Sequence, residues 1–265
     1  LGELSGQTQV QMWSSISLAN FHGIELTDFG AETAKLALFI AEYQSNAAMA
    51  ELFGASAEAL PLRDGGHIIC GNALRLNWDA VCPPPKANEE VYIAGNPPFL
   101  GDGSRSPQQN ADMDHVLAGH LNAHRRIDFV SCWIFKASNY IRGRRAQSAL
   151  VSTNSVCQGQ SVGALWPNVL KGGIEIGFAY RPFKWRNNAS ANAAVMCVIV
   201  GLRNISGSAK RIFDGEISTE ASNINAYLLD GPDLFVSAVP RSLFGLPYME
   251  YGNKPTNGGY LILSP

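Results

Sequence analysis

Short apolar segments alternate with helical segments from about residue 20 to residue 202, and this alternation constrains the fold more than any other feature of the chain. Such a pattern is typical of an α/β sheet that is covered by helices on both faces. The sequence shows no internal repeat that would favour a solenoid. The predicted strands cover residues 20–26, 67–72, 91–95, 147–153, 174–180 and 193–201.

Helical spacing of apolar residues appears in three places between these strands. After the first strand, Thr27 or Asp28 can cap a helix that runs to about Asn46, and a second short helix is predicted around residues 48–52. Residues 101–114 are polar and are predicted to form a loop. A long helix is predicted to follow over about residues 124–142, with one apolar face.

The last two predicted strands indicate how the sheet ends. Residues 193–201 form an uninterrupted apolar run, as expected for a strand that is buried on both faces. The loop before them, residues 181–192, is too short for a crossover helix, so the two strands should be antiparallel. We therefore predict a mostly parallel α/β sheet with one antiparallel strand.

The pattern changes near residue 203, where the helical signal fades and Gly, Pro and Asn become more frequent. We predict that residues 1–202 form the core. Residues 203–265 are predicted to be an extended segment that leads toward another domain.

Composition and charge limit the function classes. Hydrophobic residues make up 46% and charged residues 16%, which is the composition of a globular protein. The net charge is −2, whereas a protein that grips nucleic acid by itself usually carries a basic excess. The 5 cysteines include no C-x-x-C pair, which disfavours zinc and disulfides and favours reduced thiols in the cytoplasm. The histidines show no ligand spacing, so we predict no metal.

The tetrapeptide Asn96-Pro97-Pro98-Phe99 is the most informative motif in the sequence. It follows an apolar strand, so it should lie at the carboxyl edge of the sheet, where open α/β sheets bind ligands. The prolines fix the backbone and remove competing amide donors. The Asn96 side-chain oxygen and the Pro97 carbonyl can then accept from one NH₂ group, while Phe99 stacks on its ring. This arrangement suits methylation of an exocyclic amino nitrogen by positioning and electrostatics.

Two weaker motifs precede this one, each at the end of a predicted strand. Glu25 ends the segment Gly23-Ile24-Glu25-Leu26, and a strand-terminal acid can accept hydrogen bonds from ribose hydroxyls. Asn72 in Gly71-Asn72-Ala73-Leu74 offers an amide that could meet an adenine amino group. Each is weak alone, because a terminal Glu is often a helix cap and Gly-Asn is an ordinary turn. Their order along the chain favours a nucleotide-binding site.

Together these motifs resemble those of the class I, Rossmann-like DNA amino-methyltransferases. A closer resemblance is to the MmeI-like single-chain restriction–modification enzymes, and it extends over nearly the whole chain. The segments that carry it are Phe21–Leu26, Ala34–Leu38, Gly71–Trp78, Asn223–Leu228 and Tyr251–Gly259.

The resemblance implies an S-adenosylmethionine-dependent enzyme that methylates adenine N6 in double-stranded DNA. It implies catalytic roles for Asn96, Pro97, Pro98 and Phe99. The cofactor would be held by Glu25, Leu26, Asn72 and Ala73, and a flipped-out base would be sandwiched between Phe99 and Trp185.

The same resemblance implies a nuclease domain before the methylase core and a target-recognition domain after it. The family's first strand and its Gly-rich cofactor loop, which resembles D-P-A-C-G-S-G, do not occur in this sequence.

Two alternatives remain open from the sequence. The motif Asn-Pro-Pro-aromatic also serves enzymes that methylate cytosine N4, RNA amino groups or the side chain of protein glutamine, although Phe at position 99 favours adenine. The second alternative is a catalytically silent methylase-like scaffold that only binds DNA or a partner. A packing role for Trp185 is as well supported as a base-stacking role.

Overall fold

The computed structural model describes residues 16–53, 65–185 and 195–236. Within these ranges the strands form one two-stranded and one six-stranded sheet. The strands are β1 (His22–Glu25), β2 (His67–Cys70), β3 (Val91–Gly95), β4 (Ala146–Thr153), β5 (Ile174–Lys184), β6 (Met196–Asn204), β7 (Lys210–Asp214) and β8 (Ile217–Ala221). The helices are α1 (Asp28–Phe53), α2 (Trp78–Val81), α3 (Pro107–Leu117), α4 (Ser131–Ile141) and α5 (Gly159–Val169).

The six-stranded sheet has the order β3-β4-β6-β5-β7-β8. Strands β3, β4, β5 and β7 run in one direction, and β6 and β8 run against them. In the smaller sheet, β1 and β2 are parallel. The predicted fold class, a mostly parallel α/β sheet with an antiparallel strand, is therefore confirmed, with β8 as a second antiparallel strand beside β6. The carboxyl ends of β3, β4 and β5 meet at one edge of the sheet, which we call the carboxyl edge.

The helix after β1 is longer than the sequence predicts. Instead of two helices that break near residue 47, α1 runs without interruption from Asp28 to Phe53. Its start agrees with the prediction, because the Thr27 hydroxyl accepts from the Gly30 amide at 3.1 Å. The alanine-rich stretch around residues 47–50 has high helix propensity, which explains why the helix does not break there.

The prediction of a polar loop over residues 101–114 is wrong in its second half, where α3 begins at Pro107. The Ser106 hydroxyl accepts from the Gln109 amide at 3.2 Å, and the Gln109 side chain accepts from the Ser106 amide at 2.8 Å. This reciprocal cap starts the helix, and Pro107 is pre-organised for its first turn. The polar sequence hides a buried face whose members include Asp112 and Met113.

The helix predicted over about 124–142 begins later than expected. Residues His124–Arg126 form a short 3-10 turn after Ala123, which adopts the left-handed conformation with φ of 54°. The continuous helix α4 starts only at Ser131 and ends at Ile141. The apolar periodicity therefore identified the buried face but extended it over a turn that is not part of the helix.

The core lies where α4 and α5 pack on the large sheet. Trp166 of α5 is fully buried, and its indole N–H donates to the Val156 carbonyl at 2.7 Å. Residues beyond β8 also join this core, since Ile224 and Leu228 are buried in it. Strands β7 and β8 extend the same sheet. The division of the chain at residues 202 and 203 stays a prediction.

None of the helices in the described ranges is long and apolar enough to cross a membrane.

Asp114 on α3 provides a test of this packing by its pH dependence. Its carboxylate accepts from Arg125 Nε at 2.9 Å and from His124 Nε2 at 2.7 Å, and these partners hold its pKa well below the usual range. Because the pKa of Asp114 is lower in the folded state, its carboxylate stabilises the folded protein at pH values above the unfolded-state pKa of about 3.9. This contribution is lost as the pH falls through the lower, folded-state pKa. We expect wild type to melt above Asp114→Asn at pH 6, with a difference that shrinks below pH 4. A melting-temperature difference that is constant down to pH 3 would contradict this assignment.

Candidate active site

The predicted catalytic tetrapeptide lies directly after β3, at the carboxyl edge of the large sheet. Asn96 is exposed, and in the described part of the chain its side chain has no hydrogen-bond partner. Pro97 is buried and Pro98 is exposed, so the backbone is anchored while the amide of Asn96 faces outward from the core. Phe99 is half-buried and packs against the hydrophobic core. Within the described residues the Asn96 amide oxygen is therefore free to accept a hydrogen bond, three positions before the Phe99 ring.

Glu25 and Leu26 lie at the end of β1, as predicted. Glu25 pairs in register with Cys70, and its backbone carbonyl accepts from the Gly71 amide at 2.7 Å. The Glu25 carboxylate is exposed and has no hydrogen-bond or ion-pair partner within residues 16–53, 65–185 and 195–236. Leu26 is 72% exposed. A free carboxylate and an apolar side chain therefore stand together at this strand end.

Asn72 and Ala73 follow β2 and form a turn whose side chains are already engaged. Asn72 Nδ2 donates to Asp112 Oδ2 at 2.8 Å, and its Oδ1 accepts from the Leu74 amide at 2.9 Å. The Ala73 carbonyl accepts from the Trp78 indole at 2.9 Å. The amide orientation of Asn72 is consequently fixed, and one of its two N–H donors remains for a ligand.

Asp112 joins this turn to α3, and the sequence did not predict it as a site residue. It is 4% exposed, and its Oδ1 accepts from Arg75 Nε at 2.7 Å. It lies on α3, the helix that follows the tetrapeptide, and its other oxygen holds Asn72. The structure therefore fixes the predicted cofactor turn to α3, the helix that follows the predicted catalytic tetrapeptide in the chain. The Ser106-x-x-Gln109 cap was a sequence signal for α3, although not for the burial of Asp112.

Lys136 on α4 contacts the segment that continues the same turn. Its ammonium donates to the Leu76 carbonyl at 2.9 Å and lies 5.4 Å from the centre of the Trp78 ring. Burial lowers the pKa of Lys136. The carbonyls and the ring compensate part of the cost of burying this charge. The turn is thus fixed by α3 on one side and by α4 on the other.

Trp185, the predicted base-stacking residue, follows β5 at the carboxyl edge. It is half-buried, its amide donates to the Val195 carbonyl at 3.0 Å, and its ring centre lies 6.5 Å from that of Phe183. The adjoining residues 186–194 lie outside the described residues. Whether Trp185 packs or stacks on a base therefore stays a prediction.

A cavity of about 230 Å³ lies at the opposite edge of the sheet, where β3 and β4 begin and β6 ends. Its lining includes Tyr92, Arg145 and Asn204. It is separated from Asn96 by the length of β3, so it is not the predicted site.

Comparison with known proteins identifies the family of this chain. Residues 3–214 match the family described as MmeI, DNA-methyltransferase domain. The chain belongs to this family. DNA methyltransferase A of Bacillus subtilis (strain 168) is 41% identical over 252 residues, which are 94% of this chain. The solved structure of the Type IIL restriction-modification enzyme MmeI in complex with DNA is 39% identical over 92% of this chain, with a TM-score of 0.83.

This MmeI-type chain spans 28% of the length of DNA methyltransferase A and 33% of the MmeI chain. The resemblance inferred from the motifs is confirmed, and so is the fold that it implies. The roles of the individual site residues remain predictions.

Proposed function

We propose that this MmeI-type domain transfers a methyl group from S-adenosylmethionine to the N6 amino group of adenine in double-stranded DNA. The observation that carries the proposal is the exposed Asn96 side chain without a partner in the described ranges, held on a buried proline at the carboxyl edge. Family membership supports the reaction type. The proposal goes further than the family: it names adenine N6 as the methylated nitrogen, S-adenosylmethionine as the methyl donor, and the residues that would act.

The residues of the tetrapeptide would act by positioning. An exocyclic amino nitrogen is a poor nucleophile because its lone pair is delocalised into the ring. The Asn96 side-chain oxygen and the Pro97 carbonyl accept hydrogen bonds from the two amino hydrogens, which favours a tetrahedral nitrogen with an available lone pair. Pro98 keeps the corner rigid, and Phe99 stacks on the base. A tuned general base is not required for this arrangement.

The residues at the carboxyl ends of β1 and β2 would bind the cofactor. The unpartnered carboxylate of Glu25 can accept from both ribose hydroxyls, and Leu26 offers an apolar surface beside it. Asn72 is pre-oriented by Asp112, and together with Ala73 it would contact the adenine ring. Bound S-adenosylmethionine would supply a methyl group on a sulfonium sulfur. When the amino nitrogen takes the methyl group, the sulfur would leave as a neutral thioether and the nitrogen would release one proton to water.

Adenine N6 is unreachable inside a base stack, so the target base would be flipped out of the duplex. Phe99 is the first face of the proposed pocket and Trp185 is the second. Both follow strands that end at the carboxyl edge. A base held between two rings is positioned without reading its sequence.

For the whole protein we propose the modification role of a restriction–modification system in the cytoplasm. Flanking nuclease and target-recognition domains would accompany the domain, as the resemblance implies. The net charge of −2 agrees with a DNA grip that lies largely in other domains.

The product of the reaction tests the proposal most directly. The full-length protein is incubated with S-adenosylmethionine carrying a labelled methyl group and with duplex DNA of mixed sequence. The DNA is then digested to nucleosides and separated. We expect the label in N6-methyl-2′-deoxyadenosine. Label in N4-methylcytosine, label in RNA or protein instead of DNA, or absence of transfer with intact cofactor binding would each overturn it.

A further inference from the structure

The backbone of Leu100, the residue directly after the tetrapeptide, is held by three hydrogen bonds. Its amide donates to Asp128 Oδ1 at 3.1 Å. Its carbonyl accepts from the Phe129 amide at 3.0 Å and from Arg105 Nη1 at 3.2 Å. Both polar backbone atoms are therefore occupied, by Asp128 and Phe129 from far along the chain and by Arg105 five residues on. The exit of the catalytic segment is fixed by the start of α4 and by the loop before α3.

Asp128 is a buried carboxylate that forms no ion pair within the described ranges. It is 8% exposed. Besides Leu100, its Oδ1 accepts from the Val130 amide at 3.1 Å, and its Oδ2 accepts from the Thr153 hydroxyl at 3.0 Å. Burying a carboxylate without a counter-ion is unfavourable unless hydrogen bonds compensate. These three donors come from the catalytic segment, the start of α4 and the end of β4.

Arg105 bonds the carbonyl of Leu100, whereas Asp128 bonds its amide. The Arg105 side chain is 1% exposed, and all five of its N–H donors have acceptors. Three of the acceptors are backbone carbonyls, and two of these lie in the segment before α4. The acceptors are the Leu100, Ile127 and Arg125 carbonyls, Asn110 Oδ1 and Asp102 Oδ1. The planar guanidinium of arginine can donate to all five acceptors, whereas the single ammonium nitrogen of lysine cannot.

We propose that Arg105 and Asp128 are positioning residues for methyl transfer, because together they hold Leu100 and so set the placement of Asn96 to Phe99. The inference rests on the proposed function. Neither residue would touch the reacting atoms. Where catalysis depends on placing an amino nitrogen in line with a methyl group, a displacement of about 1 Å can cost about 100-fold in rate.

The test compares substitutions of Asp128 in the full-length protein. Asp128→Ala is expected to lower kcat about 10- to 100-fold, with KM for DNA and for S-adenosylmethionine within about twofold of wild type. Asp128→Asn should recover most of the rate, because its oxygen still accepts from both amides and its NH₂ can donate to Thr153. Asp114→Asn, a carboxylate exchange on α3, is the matched control and should leave kcat unchanged.

A second pair tests the arginine. Arg105→Lys is expected to lower kcat in the same way, whereas Arg125→Lys, whose side chain is 63% exposed, should not. All rates are compared at a temperature where each variant is fully folded. If Asp128→Ala and Arg105→Lys do not fold, Thr153→Val and Thr153→Ser replace them. Thr153→Val removes one donor to Asp128, so it should lower kcat, and Thr153→Ser should restore it.

Folded Asp128→Ala and Arg105→Lys variants with wild-type kcat overturn the inference, as does a raised KM with unchanged kcat. In the replacement pair, equal kcat for Thr153→Val and Thr153→Ser overturns it. These results differ from a failure of the proposed function, in which the wild-type protein itself transfers no methyl group to adenine N6.

Discussion

Asn96→Ala is expected to lower the methylation rate of the full-length protein by about 1,000-fold, with little change in its affinity for S-adenosylmethionine. The side-chain oxygen is one of two proposed acceptors for the target amino group, and removal of one such pre-organised group typically costs 100- to 1,000-fold in kcat. Asn96 is exposed and makes no hydrogen bond in the described part of the chain, so its loss should not disturb the fold. Single-turnover transfer of labelled methyl groups measures the rate.

The control for this substitution is Asn139→Ala on α4. Asn139 is exposed, and among the residues that the structure describes its side chain accepts only from Arg142, so wild-type transfer is expected. Calorimetric titration with S-adenosylmethionine checks that the cofactor site of Asn96→Ala is intact. Methylation by Asn96→Ala at more than a tenth of the wild-type rate would remove Asn96 from the catalytic assignment.

Glu175→Ala is expected to lower the free energy of unfolding by about 3–5 kcal/mol, because it breaks a buried ion network. Glu175 lies at the start of β5 and its side chain is 9% exposed. It bonds Arg203 of β6 at 2.8 Å and Lys210 of β7 at 2.9 Å. Burial alone would raise the pKa of Glu175, but the bonds from Lys210 and Arg203 outweigh it and hold that pKa low. Without the carboxylate, two largely buried cations lose their counter-ion and keep only neutral acceptors, the Ser208 carbonyl for Arg203 and Asn223 Oδ1 for Lys210 among them.

Urea denaturation of wild type and variant measures this loss. Glu220→Ala on the exposed strand β8 is the matched control and should change the free energy of unfolding by less than about 0.5 kcal/mol. Glu175 lies at the edge of the sheet opposite to Asn96, so folded Glu175→Ala should retain its kcat. A loss below about 1 kcal/mol would show that Arg203 and Lys210 find other partners or water.

The sequence was sufficient to predict that the proposed catalytic tetrapeptide follows a strand of the large sheet. Uninterrupted or alternating apolar segments predicted all six strands from β1 to β6, and Asn96 followed one of them directly. The order of Glu25, Asn72 and Asn96 at successive strand ends predicted a common site. These are local signals, because each depends on a few neighbouring residues. The structure places β1 and β2 in a sheet separate from the one that holds β3, so the common site stays a prediction.

Helix boundaries were less predictable where polar residues are buried. The polar composition around Asp112 predicts a loop and not a packed helix. In the structure Asp112 is buried because its carboxylate accepts hydrogen bonds from Asn72 and Arg75. Partners that lie 37 and 40 positions away leave no trace in local periodicity. The late start of α4 has the same origin, since Asp128 accepts from the Val130 amide just before the helix while also holding Leu100.

By itself the sequence determined the α/β class and the family, and it predicted the catalytic tetrapeptide, because strand patterning and rigid turns depend on adjacent residues. The tertiary structure alone decided the strand order, the extension of the sheet by β7 and β8, and the environment of Arg105, Asp112 and Asp128. The physical reason is that a buried charge is tolerated only when its partners are present. Those partners are assembled by folding from distant parts of the chain.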